Sequence, residues 1–241
     1  MAPILSLQKV CKSYGAVVIA NNLDLEVGEG EALGMLGPNG AGKTTLFGLI
    51  TGTVPANSGR IEFLGEDISR LPPEQRCHRG LARSFQVPQP FGGMTVFENL
   101  AVSAAFSKNR SERDTYQDCA RILEECGLAD KANRKAGSLT LLDRKRLEFA
   151  RALATKPKLL LLDEVAGGLS EGECEILVDL IKRIRLTGLS IVWIEHIIHA
   201  LVAVVDRIVV LAGGVLVADD TPERVVQHPK VAEIYMGLPG A

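Results

Sequence analysis

Gly37-Pro38-Asn39-Gly40-Ala41-Gly42-Lys43-Thr44-Thr45 fits GxxxxGK[ST] and lies between an apolar run, Ala32 to Leu36, and a helix-like stretch, Thr44 to Ile50, stopped by Gly52. Strand, glycine-rich turn and helix, in that order, are the setting in which this pattern cradles phosphate. Glycines at 37, 40 and 42 let the backbone curl so that its N–H groups converge on phosphate oxygens, and the following helix adds its positive end. Lys43 supplies a compact charge to the β- and γ-phosphates, the Thr44 hydroxyl is the expected ligand of Mg²⁺, and Thr45 reaches the α-phosphate region. With Pro38, Asn39 and Ala41 completing the curl, residues 37–45 predict a site for ATP and Mg²⁺. A turn that merely joins strand to helix has no need of Lys-Thr-Thr at this offset.

A second apolar run, Leu159 to Leu162, ends in Asp163-Glu164. Ligands of open α/β sheets gather at such strand ends. Asp163 is placed to serve the Mg²⁺ shell, and Glu164 to accept a proton from water attacking the γ-phosphate. An acidic pair that caps the next helix is the plain alternative, and the upstream phosphate loop argues against it.

Ile191 to Ile194 and Ile208 to Leu211 are further short apolar runs, as strands of a parallel sheet covered on both faces require. Ile4 to Val10 and Leu23 to Val27 instead alternate with period two, and Arg60 to Leu64 follows Ser58-Gly59, which predicts an antiparallel sheet at the edge. Ile176 to Leu186 reads as a helix stopped by Gly188. Between Pro88 and Leu153 the pattern turns helical, at Val96 to Phe106, Arg113 to Cys126 and Arg144 to Ala154, with Ser107 to Asp114 as a solvated loop. The whole chain, 1–241, thus reads as one α/β nucleotide-binding domain with an antiparallel β subdomain and a helical subdomain, 88–153, inserted in its core.

The 241 residues, 46% apolar and 23% charged, suffice for such a domain. A net charge of −2 lacks the basic footprint of phosphate-backbone binding, so nucleic acid is not an expected partner. Five scattered cysteines without a CxxC pair predict free thiols in a reducing cytoplasm. Met1 to Val10 lacks the basic-then-apolar order of a signal peptide. Ile191 to Ala218 is interrupted by Glu195, His196, His199, Asp206 and Arg207, so it falls short of the ~20 apolar residues of a membrane span.

Together these motifs resemble the ATP-binding subunits of the ABC transporter family, along the full length of the chain. The resemblance implies a P-loop core of ABC type and roles that pattern alone does not assign. Tyr14, in Lys12-Ser13-Tyr14-Gly15, matches the aromatic residue that stacks on adenine; a core aromatic at a strand end is the alternative. Gln86 matches the glutamine that reaches the Mg²⁺ and the attacking water and links the core to the helices. His196 matches the switch histidine that contacts the γ-phosphate, whereas a metal pair with His199 has too few ligands. Gly167-Gly168-Leu169-Ser170 stands where the family's loop to a second ATPase subunit lies, without its usual Asp.

The tail, Asp220 to Val226, His228 to Val231 and Tyr235 to Gly237, resembles the branched-chain amino-acid uptake branch, as do Ser84-Phe85-Gln86 and Phe97-Glu98-Asn99-Leu100. That branch implies a second ABC ATPase subunit, transmembrane permease subunits and an extracytoplasmic substrate-binding protein, with this chain peripheral on the inner face of the cell membrane. Phe91, Met94 and Val96 would suit a permease-docking groove or pack into the domain's own core. A soluble ABC ATPase not attached to a transporter is the competing reading; such proteins usually carry two ATPase units or long inserted arms.

One motif departs from the family. Leu139-Thr140-Leu141-Leu142-Asp143 stands where the signature Leu-Ser-Gly-Gly-Gln is expected, so both glycines are replaced. A left-handed backbone at Leu141 or Leu142 would cost ~1–2 kcal/mol per residue. Either a different ATPase subunit with an intact signature completes the site on this chain's phosphate loop, or the segment keeps its shape by other means.

Overall fold

The central strands buried on both faces and the alternating strands of the N-terminal region lie in two different sheets. The computed structural model describes residues 2–105 and 111–236 of the protein. In chain order, β1 (Leu5–Tyr14) and β2 (Val17–Val27) are followed by β3 (Ala32–Leu36), α1 (Lys43–Thr51), β4 (Ser58–Phe63), β5 (Glu66–Asp67), α2 (Pro73–His78) and β6 (Leu81–Arg83). Three longer helices come next, α3 (Val96–Ala105), α4 (Glu112–Glu125) and α5 (Leu141–Ala154). The chain then runs through β7 (Leu159–Asp163), α6 (Glu171–Arg185), β8 (Ser190–Ile194), α7 (Ile198–Val202), β9 (Arg207–Ala212), β10 (Val215–Asp220), α8 (Pro222–Val226) and α9 (Pro229–Met236).

Among the described residues one sheet has the order β2-β1-β4-β5 and is antiparallel throughout. The other has the order β10-β9-β3-β8-β7-β6, parallel except for β10 at its edge. The two-residue period of a strand explains why the runs in this second sheet are continuously apolar. Leu160 and Leu162 enter one core with Trp193, Ile208 and helices α3 to α6, while Leu159 and Leu161 enter another with Val192, Phe47 and the alternating strands β1, β2 and β4. Burying each of these leucines contributes about 1.5–3 kcal/mol, so both faces hold the central strands in place. No helix among the described residues is long and apolar enough to cross a membrane.

Several boundaries differ from expectation for identifiable reasons. Leu23 to Val27 is only the second half of β2, whose first residues, Val17 and Val18, are exposed and carry little pattern. α6 begins at Glu171 because the Glu173 carboxylate accepts from the Ser170 backbone N–H at 2.9 Å, a cap ahead of the apolar stripe. Asp114 is helical rather than part of a loop, since Ser111 Oγ accepts its N–H at 3.1 Å and starts α4. The rest of that expected loop, 107–110, and the helix end expected at Phe106 lie outside the described residues, as does Gly237 of the tail.

The signature segment gives the largest correction. α5 starts at Leu141 rather than at the expected Arg144, with Thr140 as its cap: Thr140 Oγ1 accepts from Asp143 N–H at 3.3 Å. Leu141 and Leu142 take ordinary helical conformation and do not appear among the non-glycine residues of positive φ, so the strain weighed for them is not incurred.

Candidate nucleotide-binding and hydrolysis site

β3, β8, β7 and β6 are neighbours and parallel, so the segments that follow them open on one sheet edge. Sequence-distant residues meet there: the phosphate loop after β3, Asp163-Glu164 at the end of β7, Glu195-His196 after β8 and Gln86 after β6.

Side chains are excluded at the two ends of the loop, Gly37 and Gly42. A Cβ at Gly37 would stand 2.3 Å from the Leu211 carbonyl oxygen, and one at Gly42, whose φ is 95°, would stand 2.6 Å from Ile19 Cγ2. No side chain caps α1 and no acidic residue occupies its first turn, which leaves its N-terminal N–H groups for an anion. Asn39 and Gly40 are exposed, Pro38 and Ala41 half-buried, Thr44 exposed and Thr45 half-buried. Lys43 is buried, and its ammonium donates to the carbonyls of Gly37 at 2.6 Å and Pro38 at 3.1 Å. Burial pushes its pKa down, opposed by Glu164 and Asp163. Lys43 thus bends back over its own loop, where phosphates can take over its donors.

Glu164 is the centre of a second cluster. Its Oε2 accepts from Gln86 Nε2 at 2.5 Å, and its Oε1 lies 2.5 Å from His196 Nε2. The expected catalytic trio, Glu164, Gln86 and His196, is therefore in direct contact. Glu164 has φ 48°, a left-handed conformation that costs a non-glycine residue ~1–2 kcal/mol, and its N–H is fixed on the Ile194 carbonyl at 2.9 Å. Tyr14 belongs to the β1–β2 hairpin rather than to this cluster. Its ring is half exposed, with Lys12 Nζ 4.7 Å from the centroid.

Asp163 is buried; its Oδ2 accepts from Arg83 at 2.6 Å, and its Oδ1 has no hydrogen-bond partner. Thr44, Gln86 and Asp163 line one cleft of about 520 Å³. A hydroxyl, an amide and a carboxylate with an unused buried oxygen form the hard-oxygen donor set that suits Mg²⁺.

Three contributors were not singled out from sequence. Lys145, on α5, donates to the carbonyls of Gln86 at 3.2 Å and Glu164 at 3.5 Å, and burial pushes its pKa down. Glu195, buried beside His196, accepts from the N–H groups of Ala166 at 2.7 Å and His196 at 3.0 Å; burial pushes its carboxyl up, against those hydrogen bonds. Arg83 is the third. Charged residues at strand or helix positions next to motif residues were the available signal. Of the apolar residues expected at a docking groove, Phe91 and Met94 are exposed, but Val96 is fully buried because it begins α3 inside the helical core.

The profile of the ABC transporter family matches residues 20–167. The high-affinity branched-chain amino acid transport ATP-binding protein BraF of Pseudomonas aeruginosa is 36% identical over 250 residues, 98% of either chain. The corresponding protein LivG of Escherichia coli is 35% identical with the same coverage. Among solved structures, the ADP conformation of MJ1267, an ATP-binding cassette of an ABC transporter, is similar with a TM-score of 0.90 at 30% identity, covering 99% of this chain and 100% of that one. With the family profile over most of its length, relatives of this identity covering nearly the whole chain and the same overall fold, the chain belongs to the ABC transporter family as an ATP-hydrolysing subunit.

Proposed function

We propose that this chain drives uptake of branched-chain or related amino acids, as the ATP-hydrolysing subunit of a membrane importer. The observation that carries the hydrolytic part is the Glu164 carboxylate, held between Gln86 and His196 at the sheet edge that bears the phosphate loop. The transport part is supported by relatives named for branched-chain amino-acid transport that cover nearly the whole chain. They do not favour a soluble ATPase apart from any transporter.

In this reading Tyr14 stacks on adenine, while residues 37–45 bind the phosphates through backbone N–H groups and the Lys43 ammonium. Thr44, Gln86 and Asp163 would hold Mg²⁺, which when bound offsets charge on the phosphate oxygens. Glu164 accepts the proton of the attacking water, and His196 orients Glu164 and reaches the γ-phosphate. A second ATPase subunit closes over the nucleotide with its own signature segment. Lys145 ties α5 to Gln86 and Glu164 through their carbonyls, so closure would carry the helical subdomain, 88–153, as one body. Exposed Phe85, Val87, Phe91 and Met94 offer the apolar surface on which permease subunits would dock from the cytoplasmic side.

Co-expression with candidate permease subunits, followed by membrane fractionation and uptake into vesicles, tests the reading. The chain should move to the membrane fraction only with its permease and support ATP-dependent uptake of branched-chain amino acids. A chain that stays in the soluble fraction with every such permease contradicts it.

A further inference from the structure

Arg83 ends β6, beside β7, three residues before Gln86. Its guanidinium donates to Asp163 Oδ2 at 2.6 Å, with the two side chains only 11% and 4% exposed. Two aromatic rings confine it: its Cζ lies 5.6 Å from the Phe47 centroid and 5.1 Å from that of Phe85. Asp163 Oδ1 is buried without a hydrogen-bond partner, and Arg83, Asp163, Thr44 and Gln86 line the same cleft. The carboxylate suited to a metal is thus half occupied by a built-in cation and half open.

A cation in contact with one carboxylate oxygen weakens the attraction that the carboxylate offers a second cation. A planar guanidinium stacked against rings does not turn away without losing those contacts. We propose that Arg83 is a charge placeholder at the metal position, neutralising Asp163 while nucleotide is absent. A divalent cation is then retained only when the phosphates of ATP bring their own negative charge. Arg83 acts through Asp163 and is a positioning residue. The inference rests on the metal-site reading given above and adds to it the order of events, in which metal arrives with nucleotide rather than before it.

The test uses Mn²⁺: nucleotide-free binding is read from loss of its free-ion paramagnetic resonance signal, and binding with ATP, which itself chelates Mn²⁺, from the Mn²⁺ held on the protein side in equilibrium dialysis in excess of the Mn-ATP common to both sides. Mn²⁺ is titrated into the full-length chain as wild type, Arg83→Gln and Arg83→Lys, each checked for folding by circular dichroism. Glutamine keeps an N–H for Asp163 and removes the charge, whereas lysine keeps the charge. Without nucleotide, Arg83→Gln should bind Mn²⁺ at least about tenfold tighter than wild type, or about 1.4 kcal/mol. Arg83→Lys should stay near wild type, and with ATP present the three should converge.

Equal nucleotide-free affinity in wild type and Arg83→Gln, or an equally large gain in Arg83→Lys, overturns the proposal. Should Arg83→Gln fail to fold, wild type decides: Mn²⁺ held as tightly without ATP as with it overturns the placeholder role, and a gain of at least about tenfold on adding ATP supports it. Failure of wild type to bind Mn²⁺ even with ATP would overturn the nucleotide-site reading itself, a distinguishable result.

Discussion

Two helices of this chain offer their N-termini in a nucleotide-binding context, and they are prepared in opposite ways. α1 follows Gly42 with no side-chain cap and no acidic residue in its first turn, so its N–H groups and the Lys43 ammonium await an anion. α5 is already satisfied: Thr140 caps it, and the Asp143 carboxylate sits in its first turn, paired with Lys131 at 2.9 Å and Arg146 at 3.6 Å. The first terminus is open and cationic, the second closed and neutralised. A phosphate brought to α5 by a second subunit would meet a carboxylate where the family's signature has an amide, and an exposed Leu141 where it has glycine. In this chain the uncapped start of α1 is free to take an anion, and the capped start of α5 is not.

The largest effect belongs to the open side. Glu164→Gln should keep ATP binding and slow turnover by ~10²–10⁴-fold, as loss of a general base implies. Steady-state phosphate release with a parallel binding titration checks it, and undiminished release would move the chemistry away from Glu164.

The closed side makes the next prediction. The isolated chain should turn over ATP slowly, and a different ATPase subunit carrying Leu-Ser-Gly-Gly-Gln should raise the rate by about tenfold or more, equivalent to ~1.4 kcal/mol of barrier. Combining Leu141→Gly, Leu142→Gly and Asp143→Gln should recover part of that gain in the isolated chain. Robust hydrolysis by the unaltered chain alone would mean that the capped helix start serves a second copy well enough.

A smaller effect concerns Glu195, which fixes the segments after β7 and β8 on one another. Burial raises its carboxyl pKa in the folded chain above the unfolded value of about 4.3. The folded state therefore keeps the proton where the unfolded chain has lost it. That contribution is complete below the unfolded value and is lost as pH rises through the folded one. Glu195→Gln cannot titrate, so its Tm relative to wild type should rise as pH increases above the unfolded value, by about 2–4 °C per kcal/mol of linkage. A difference that stays flat over that rise in pH would contradict the burial effect.

The parts of the site written as contiguous motifs were legible in the sequence. The phosphate loop, the carboxylate pair and the strand before His196 each announce themselves by a run of apolar residues ending in chemistry, and the antiparallel strands by their alternation. Less legible were contributions created by the sheet order. Arg83 matters because β6 lies beside β7, and Glu195 because β8 lies beside β7 and its carboxylate reaches Ala166. Neither adjacency is contained in local spacing. Thr140 and Asp143 are a different case: a hydroxyl three residues before an acidic residue is a capping signal, and the cap forms here without the left-handed backbone that the signature's glycines would favour.

Nucleotide binding at residues 37–45 with hydrolysis beside Glu164 makes separable demands on Lys43 and Glu164. Calorimetric titration of Mg-ATP into wild type, Glu164→Gln and Lys43→Ala tests it most directly. Wild type and Glu164→Gln should bind alike, and Lys43→Ala should lose the binding heat while remaining folded. Undiminished binding by folded Lys43→Ala would contradict the account.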